Sequence, residues 1–143
     1  MRIAEILGKK GSEVATIPPT ATVSELLSAM TAHNIGAMVV TDHRDVLLGI
    51  VSERDVVRRL DGRGADLLAA TVSEIMTTDV ITCAPEDTVE RLTEIMTERR
   101  IRHLPVVTGG VLAGIVSIGD VLKSRIDVLE HNQEQLESYI TQG

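Results

Sequence analysis

Gly49-Ile50-Val51-Ser52-Glu53-Arg54-Asp55 returns 65 residues later as Gly114-Ile115-Val116-Ser117-Ile118-Gly119-Asp120. Val56 and Val121 extend the match forward, and Val46-Leu47 with Val111-Leu112 extends it backward at the same offset. Beyond one extra loop residue in the first copy the offset becomes 66. Thr22-Val23, Leu26, Met30-Thr31 and Ile35 then fall on Thr88-Val89, Leu92, Met96-Thr97 and Ile101, and Val14, Thr16 and Pro19 fall on Val80, Thr82 and Pro85. The lead-ins pair as well, Ile3-Ala4-Glu5-Ile6-Leu7 with Val72-Ser73-Glu74-Ile75-Met76, at an offset of 69. Agreement this dense, with only short gaps, marks an internal duplication.

Each copy follows one grammar. A short extended piece (14–17 or 80–83) runs into a proline-containing turn, and Thr22 or Thr88 stands where a helix N-cap is wanted. Val23, Leu26, Leu27 and Met30, and in the second copy Val89, Leu92, Ile95 and Met96, then recur at helical spacing. A strand (37–41 or 103–107) follows, then a turn at 42–45 or Thr108-Gly109-Gly110 and a return strand (46–52 or 111–117). A second helix starts after Ser52 or Ser117, so the order is β-α-β-β-α, twice. One copy offers roughly 50–60 residues and a three-stranded sheet with a bare face, which is marginal burial. The expectation is therefore an α+β fold in which residues 1–70 and 71–143 pack about a pseudo-twofold axis, with a cleft between them and, by symmetry, two equivalent niches. Residues 61–70 read as a loop ending in a docked or helical segment. Residues 119–139 read as one long helix, striped by Val121, Leu122, Arg125, Val128, Leu129 and Leu136 but polar over 130–134, so that its far end projects or meets a partner chain.

Composition narrows the function. The 143 residues carry 14 Lys+Arg against 21 Asp+Glu, a net charge of −7, with one Tyr and neither Trp nor Phe. The core must be aliphatic, and a nucleic-acid partner, which wants basic surface and stacking aromatics, is disfavoured. The single cysteine, Cys83, removes an internal disulfide and every multi-cysteine zinc pattern. No apolar run approaches the roughly 18 residues that span a bilayer, and the N-terminal stretch lacks the pattern of a signal peptide. A cytoplasmic chain without membrane or nucleic-acid partners is expected.

The repeated Ser-x-x-Asp admits two readings. Ser at an N-cap with Asp three residues on is a variant capping box, which stabilises any helix start. The same geometry suits a ligand: helix N-termini favour anions, a Ser hydroxyl donates to phosphate or sugar oxygens, and an Asp one turn in accepts two ribose hydroxyls. Aliphatic strand residues at 38–40 and 104–106 can sandwich a flat base without an aromatic.

The duplicated β-α-β-β-α unit, the two Gly-Ile-Val-Ser-x-x-Asp strings, Ile101-Arg102-His103-Leu104-Pro105-Val106-Val107 and the lead-in Val72-Ser73-Glu74-Ile75-Met76-Thr77 resemble a tandem pair of CBS domains, a Bateman module, over essentially residues 1–125. The resemblance implies an adenosyl ligand (AMP, ADP, ATP, NAD(H) or S-adenosylmethionine), a sensing role and homodimerisation into a flat four-repeat disc. It places Asp55 and Asp120 on ribose, with Ser52 and Ser117 beside them. Thr16, Ile17 and Pro18, and Ile81, Thr82 and Cys83, become the base-reading edges, with Met38 and Leu104 packing on the base. Arg54, Arg102 and His103 are candidate phosphate contacts, since the cleft needs positive charge that the whole chain lacks. Gly36-Ala37-Met38 stands where the second copy has Arg102-His103-Leu104, and Ile118-Gly119 replaces Glu53-Arg54, so the two niches are inequivalent.

Other features read as structural. Asp42-His43-Arg44-Asp45 is a hairpin turn rather than a metal site, and His33, His103 and His131 lack zinc-type spacing. Cys83 is core or cleft wall, and Arg58-Arg59 and Arg99-Arg100 are solvated faces near helix ends. The function expected is a regulatory, non-enzymatic module that senses an adenine nucleotide, needs no cofactor, and signals through conformation or dimer geometry to an effector protein. The alternatives are an interaction module with a vestigial cleft and, third, a nucleotide-metabolising enzyme.

Overall fold

The computed structural model describes residues 1–11 and 13–142; Ser12 and Gly143 lie outside the described residues. The chain forms α1 (Ile3–Lys10), β1 (Thr16–Ile17), α2 (Val23–His33), β2 (Ala37–Thr41), β3 (Leu47–Ser52) and α3 (Glu53–Arg63). A 3-10 helix (Gly64–Ala69) leads to α4 (Val72–Ile75), α5 (Val89–Arg99), β4 (His103–Thr108), β5 (Val111–Ser117) and α6 (Ile118–Gln142). Side chains mark the helix starts as the sequence implies: Thr22 Oγ1 accepts the Glu25 N–H at 3.1 Å, and Thr88 Oγ1 accepts the Arg91 N–H at 3.2 Å. Asn34 and Arg100 end α2 and α5 in the left-handed region, with φ of 53° and 54°.

In the first repeat β1 pairs parallel with β2 and β2 antiparallel with β3. In the second, β4 and β5 form the antiparallel hairpin, with a bulge at the equivalent place, Val106/Val107 against Val40/Thr41. The strand expected over 80–83 reduces to one parallel bridge, Cys83 to Val106. The reason is Pro105. The next ladder step would take an N–H from the β4 residue that corresponds to Val39, and proline has none. The expected loop over 61–70 is also shorter: α3 runs on to Arg63, and fully buried Leu67 docks the 3-10 helix into the first core.

The lead-ins are exchanged. Ile3 and Ile6 of α1 sit in the second repeat's core with Leu92, Met96, Leu104 and Val116, while Val72 and Ile75 of α4 sit in the first repeat's core with Leu26, Met30, Met38 and Val51. Backbone hydrogen bonds repeat this reciprocity. The Ile3 N–H donates to Asp87 O at 2.9 Å and the Val72 N–H to Ala21 O at 2.8 Å; the Ala4 N–H donates to Pro85 O at 2.9 Å and the Ser73 N–H to Pro19 O at 3.1 Å. The hairpin ends meet in the same manner, Leu47 N–H to Gly110 O and Leu112 N–H to Asp45 O. These pairs are related by the duplication offsets, which is the pseudo-twofold arrangement. A boundary at residue 70/71 thus divides the repeats in sequence while each core draws on both sides of it.

The leading glycine of the repeated string has its cause here. A Cβ on Gly49 would lie 2.7 Å from Thr77 O and 2.9 Å from Met76 Sδ, and one on Gly114 would lie 2.8 Å from Leu7 Cδ2. Each return strand is crossed at its glycine by the lead-in of the other repeat. No helix among the described residues is long and apolar enough to cross a membrane.

Candidate functional site

The second niche is built where β5 becomes α6. Ser117 ends the strand, faces His103 across the β4–β5 ladder, and its Oγ accepts the Asp120 N–H at 3.1 Å. Asp120 Oδ2 in turn accepts the Ser117 N–H at 2.9 Å and the Lys10 ammonium at 2.6 Å, and Lys10 also donates to Ile115 O at 2.9 Å. Burial opposes ionisation of Asp120, yet the bonds from Lys10 and Ser117 outweigh it and hold the carboxyl below its usual range. Burial pulls the half-buried His103 imidazole below its usual range; the Lys10 and Arg102 charges act the same way, against Asp120. Asp120, Lys10 and Arg102 therefore all lie within electrostatic reach of His103.

The first niche has the same frame and other furnishings. Ser52 ends β3 opposite Ala37, and its N–H and hydroxyl both donate to Asp55 Oδ2, at 2.8 and 3.0 Å. Its first free helix N–H, on Glu53, donates to Gly36 O at 3.0 Å, as the Ile118 N–H does to Arg102 O at 2.9 Å in the second niche. Here the neighbouring side chain is acidic. The Glu53 carboxyl lies over Gly36, 3.4 Å from where a Cβ would stand. Arg54 is exposed, one residue on. Ile50 exchanges backbone hydrogen bonds with Thr77, at 3.0 and 2.9 Å, where Ile115 is met by the Lys10 side chain instead. The capping-box reading of Ser-x-x-Asp is realised in both copies. In each, the protein's bonds fall on Oδ2, and among the described residues none is made to Oδ1.

Of the base-reading candidates, Thr16, Ile17 and Pro18 lie on or beside the β1 edge along β2, and Ile81, Thr82 and Cys83 beside β4. Met38 and Leu104 do not reach a cleft. They are 2 % and 0 % exposed, and strand alternation turns them, with Val40 and Val106, into the repeats' own cores. Their neighbours Val39 and Pro105 take the opposite face and are buried as well. Cys83 is core: burial, aided by Asp87, pushes its thiol up to about 12, and no reactive thiolate forms there. Asp42 Oδ1 accepts the N–H groups of Arg44 and Val46 at 2.8 and 3.0 Å, the bonds of a turn, and no acidic, His or Cys cluster able to hold a metal occurs among the described residues. Arg58-Arg59 lies inside α3 rather than near its end, because the helix continues to Arg63. Lys10 is the site residue that sequence reasoning missed. No local motif marks it, since it reaches Asp120 only through the exchange of lead-ins.

Known proteins share this architecture. The chain is 37 % identical over 126 residues to the CBS domain-containing protein CBSX3, mitochondrial, of Arabidopsis thaliana, covering 85 % of this chain but only 61 % of that protein. The crystal structure of the CBS-domain containing protein ATU1752 from Agrobacterium tumefaciens matches with a TM-score of 0.83 at 46 % identity, over 87 % of this chain and 99 % of that one. The CBS domain pair of protein MJ0100, in complex with 5-methylthioadenosine and S-adenosyl-L-methionine, matches with a TM-score of 0.76 at 25 % identity, over 91 % and 98 % of the two chains. The CBS domain model matches residues 4–62 and 72–127, and with both repeats covered the chain belongs to the CBS-domain family as a tandem pair.

Proposed function

We propose that this CBS pair is a regulatory, non-catalytic module that binds an adenine nucleotide (AMP, ADP, ATP or NAD(H)) between its repeats and signals occupancy to an effector protein through conformation or dimer geometry. The carrying observation is the pair of Ser-x-x-Asp helix starts whose aspartates, among the described residues, keep Oδ1 free of protein bonds, the acceptor a ribose hydroxyl needs. The adenosyl ligands of the MJ0100 pair support the same chemistry. Electrostatics favours the second niche for a phosphate-bearing ligand: Lys10, Arg102 and His103 gather there, while Glu53 stands over the equivalent place in the first. A ribose hydroxyl donating to Asp120 Oδ1 leaves the Lys10 bond to Oδ2 in place, and the same ammonium stands beside the niche to meet a phosphate. A ligand shifts the equilibrium between two states only by its different affinity for them, and a phosphate that draws the Lys10 ammonium away from Asp120 would supply that difference. No paired base and nucleophile appears in either niche among the described residues, which supports sensing over turnover. The Lys10–Asp120 pair also favours a second reading, an interaction module whose second niche is closed by its own lysine.

The test is a thermal-shift series with AMP, ADP, ATP, NADH and S-adenosylmethionine on the parent, Asp55→Ala and Asp120→Ala. Binding to the native state raises Tm by mass action. A rise with a phosphate-bearing ligand, lost in Asp120→Ala and kept in Asp55→Ala, is expected. Flat traces with all five ligands would leave the second reading standing.

A further inference from the structure

We propose that α6 pairs with α6 of a second copy of this chain as a parallel, in-register two-stranded coiled coil. The inference rests on the reading that the module works as a homodimer, and it assigns the surface and the orientation.

The helix has two faces with different fates. Val121 and Ser124 are buried against the module. Roughly a third of a turn away, Leu122, Ile126, Leu129, Leu136 and Ile140 are 53–70 % exposed in the single chain. With Gln133, the spacing of these residues alternates 4, 3, 4, 3, 4. That is a heptad seam: Leu122, Leu129 and Leu136 at d, and Ile126, Gln133 and Ile140 at a. Ile at a with Leu at d is the choice that favours two parallel strands, and the seam runs about 27 Å along the helix. The polar run over 130–134, which looks like an interruption of an apolar stripe, contributes one residue to the seam, Gln133.

Charge and polarity commit the partner to a second copy and to one direction. In a parallel pair each g position faces the e position five residues on in the other helix, which sets Arg125 against Glu130 of the second copy, twice by symmetry. Gln133 then faces its own copy, amide to amide, in a single polar layer. An antiparallel pair centred on this seam would put Leu129 against Gln133 twice and Glu130 against Glu130.

The experiment is sedimentation equilibrium of the full chain over a concentration series, with three sets of variants at exposed positions on or beside the seam. Leu129→Glu with Leu136→Glu is expected to raise the dimer dissociation constant by roughly tenfold or more while the circular dichroism of the module stays unchanged. Leu129→Cys is expected to give a covalent dimer on mild oxidation, with buried Cys83 silent in the parent. Glu130→Arg is expected to weaken the dimer, and Arg125→Glu added to it to restore it. If the variant carrying both Leu129→Glu and Leu136→Glu dimerises as tightly as the parent, the seam is overturned and the homodimer kept. A monomeric parent at every concentration overturns both. Cross-linking in a mixture of Leu129→Cys and Gln133→Cys chains, without Leu129→Cys homodimers, overturns the parallel direction.

Discussion

At position 120 one carboxylate serves a helix cap and an ion pair at once, and the pH response of the protein follows from what surrounds it. His103 has its pKa lowered on folding from a reference value of 6.5, so the unfolded chain binds its proton more readily than the folded one. The stability this contributes is present above the unfolded value and is lost as pH falls through 6.5 toward the lowered folded value. Asp120, lowered from 3.8, contributes stability above that value and loses it as pH falls through the folded one. Both therefore weaken the fold on acidification, in successive windows. An NMR titration should place the His103 ring below 6.5 in the parent and move it upward in Lys10→Met, where the ammonium that repels the imidazolium is gone. A parent midpoint at or above 6.5 would show that the imidazole is not desolvated as described. Ser52, Asp55, Ser117 and Asp120 were legible in sequence because a cap is local. Lys10 was not, because it and its partner Asp120 stand 110 positions apart in the chain.

The element that carries the glycine of each repeated string is a strand crossed by a lead-in, and the two crossings differ in stiffness. Gly49 meets a backbone carbonyl, Thr77 O, whereas Gly114 meets the end of the Leu7 side chain. Gly49→Ala is expected to cost about 1–3 kcal/mol, as overpacking against a fixed group does, and Gly114→Ala less, since Leu7 can change rotamer. Gly8, inside α1 with open space around it, is the control: Gly8→Ala should raise stability by up to about 1 kcal/mol. Urea denaturation of the three variants checks the order, and equal losses at 49 and 114 would contradict it. Hairpins and helices were read from periodicity almost to their ends because alternation and caps act within a few residues. The strand at 80–83 failed at Pro105, a residue on another strand, and Met38 and Leu104 were set on a ligand because strand reading leaves open which face is core.

Over the whole molecule the exchanged lead-ins tie the repeats into one unit. Ile3 belongs to the first repeat by sequence and to the second repeat's core by contact, fully buried beside Leu92 and Leu104. Ile3→Ala should cost about 2–5 kcal/mol. Because α1 and α4 cross in opposite directions, the loss should appear as one shifted calorimetric transition, with van't Hoff and calorimetric enthalpies still equal. Two resolved transitions, with only one of them moved, would mean that the repeats unfold independently.

The amino-acid sequence by itself determined the duplication, the β-α-β-β-α order, the aliphatic core, the two capped Ser-x-x-Asp helix starts and the family. All but the family are written in local periodicity or in self-comparison, and the family follows from the resemblance of the repeated strings to CBS domains. Only the tertiary structure decided which lead-in lies on which repeat, that Lys10 closes on Asp120 while Glu53 covers Gly36, that β2 and β4 are buried on both faces, and which face of α6 remains exposed. The physical reason is range. Hydrogen-bond caps and side-chain alternation act over three or four residues, whereas burial and ion pairing depend on what the fold brings together from the far end of the chain.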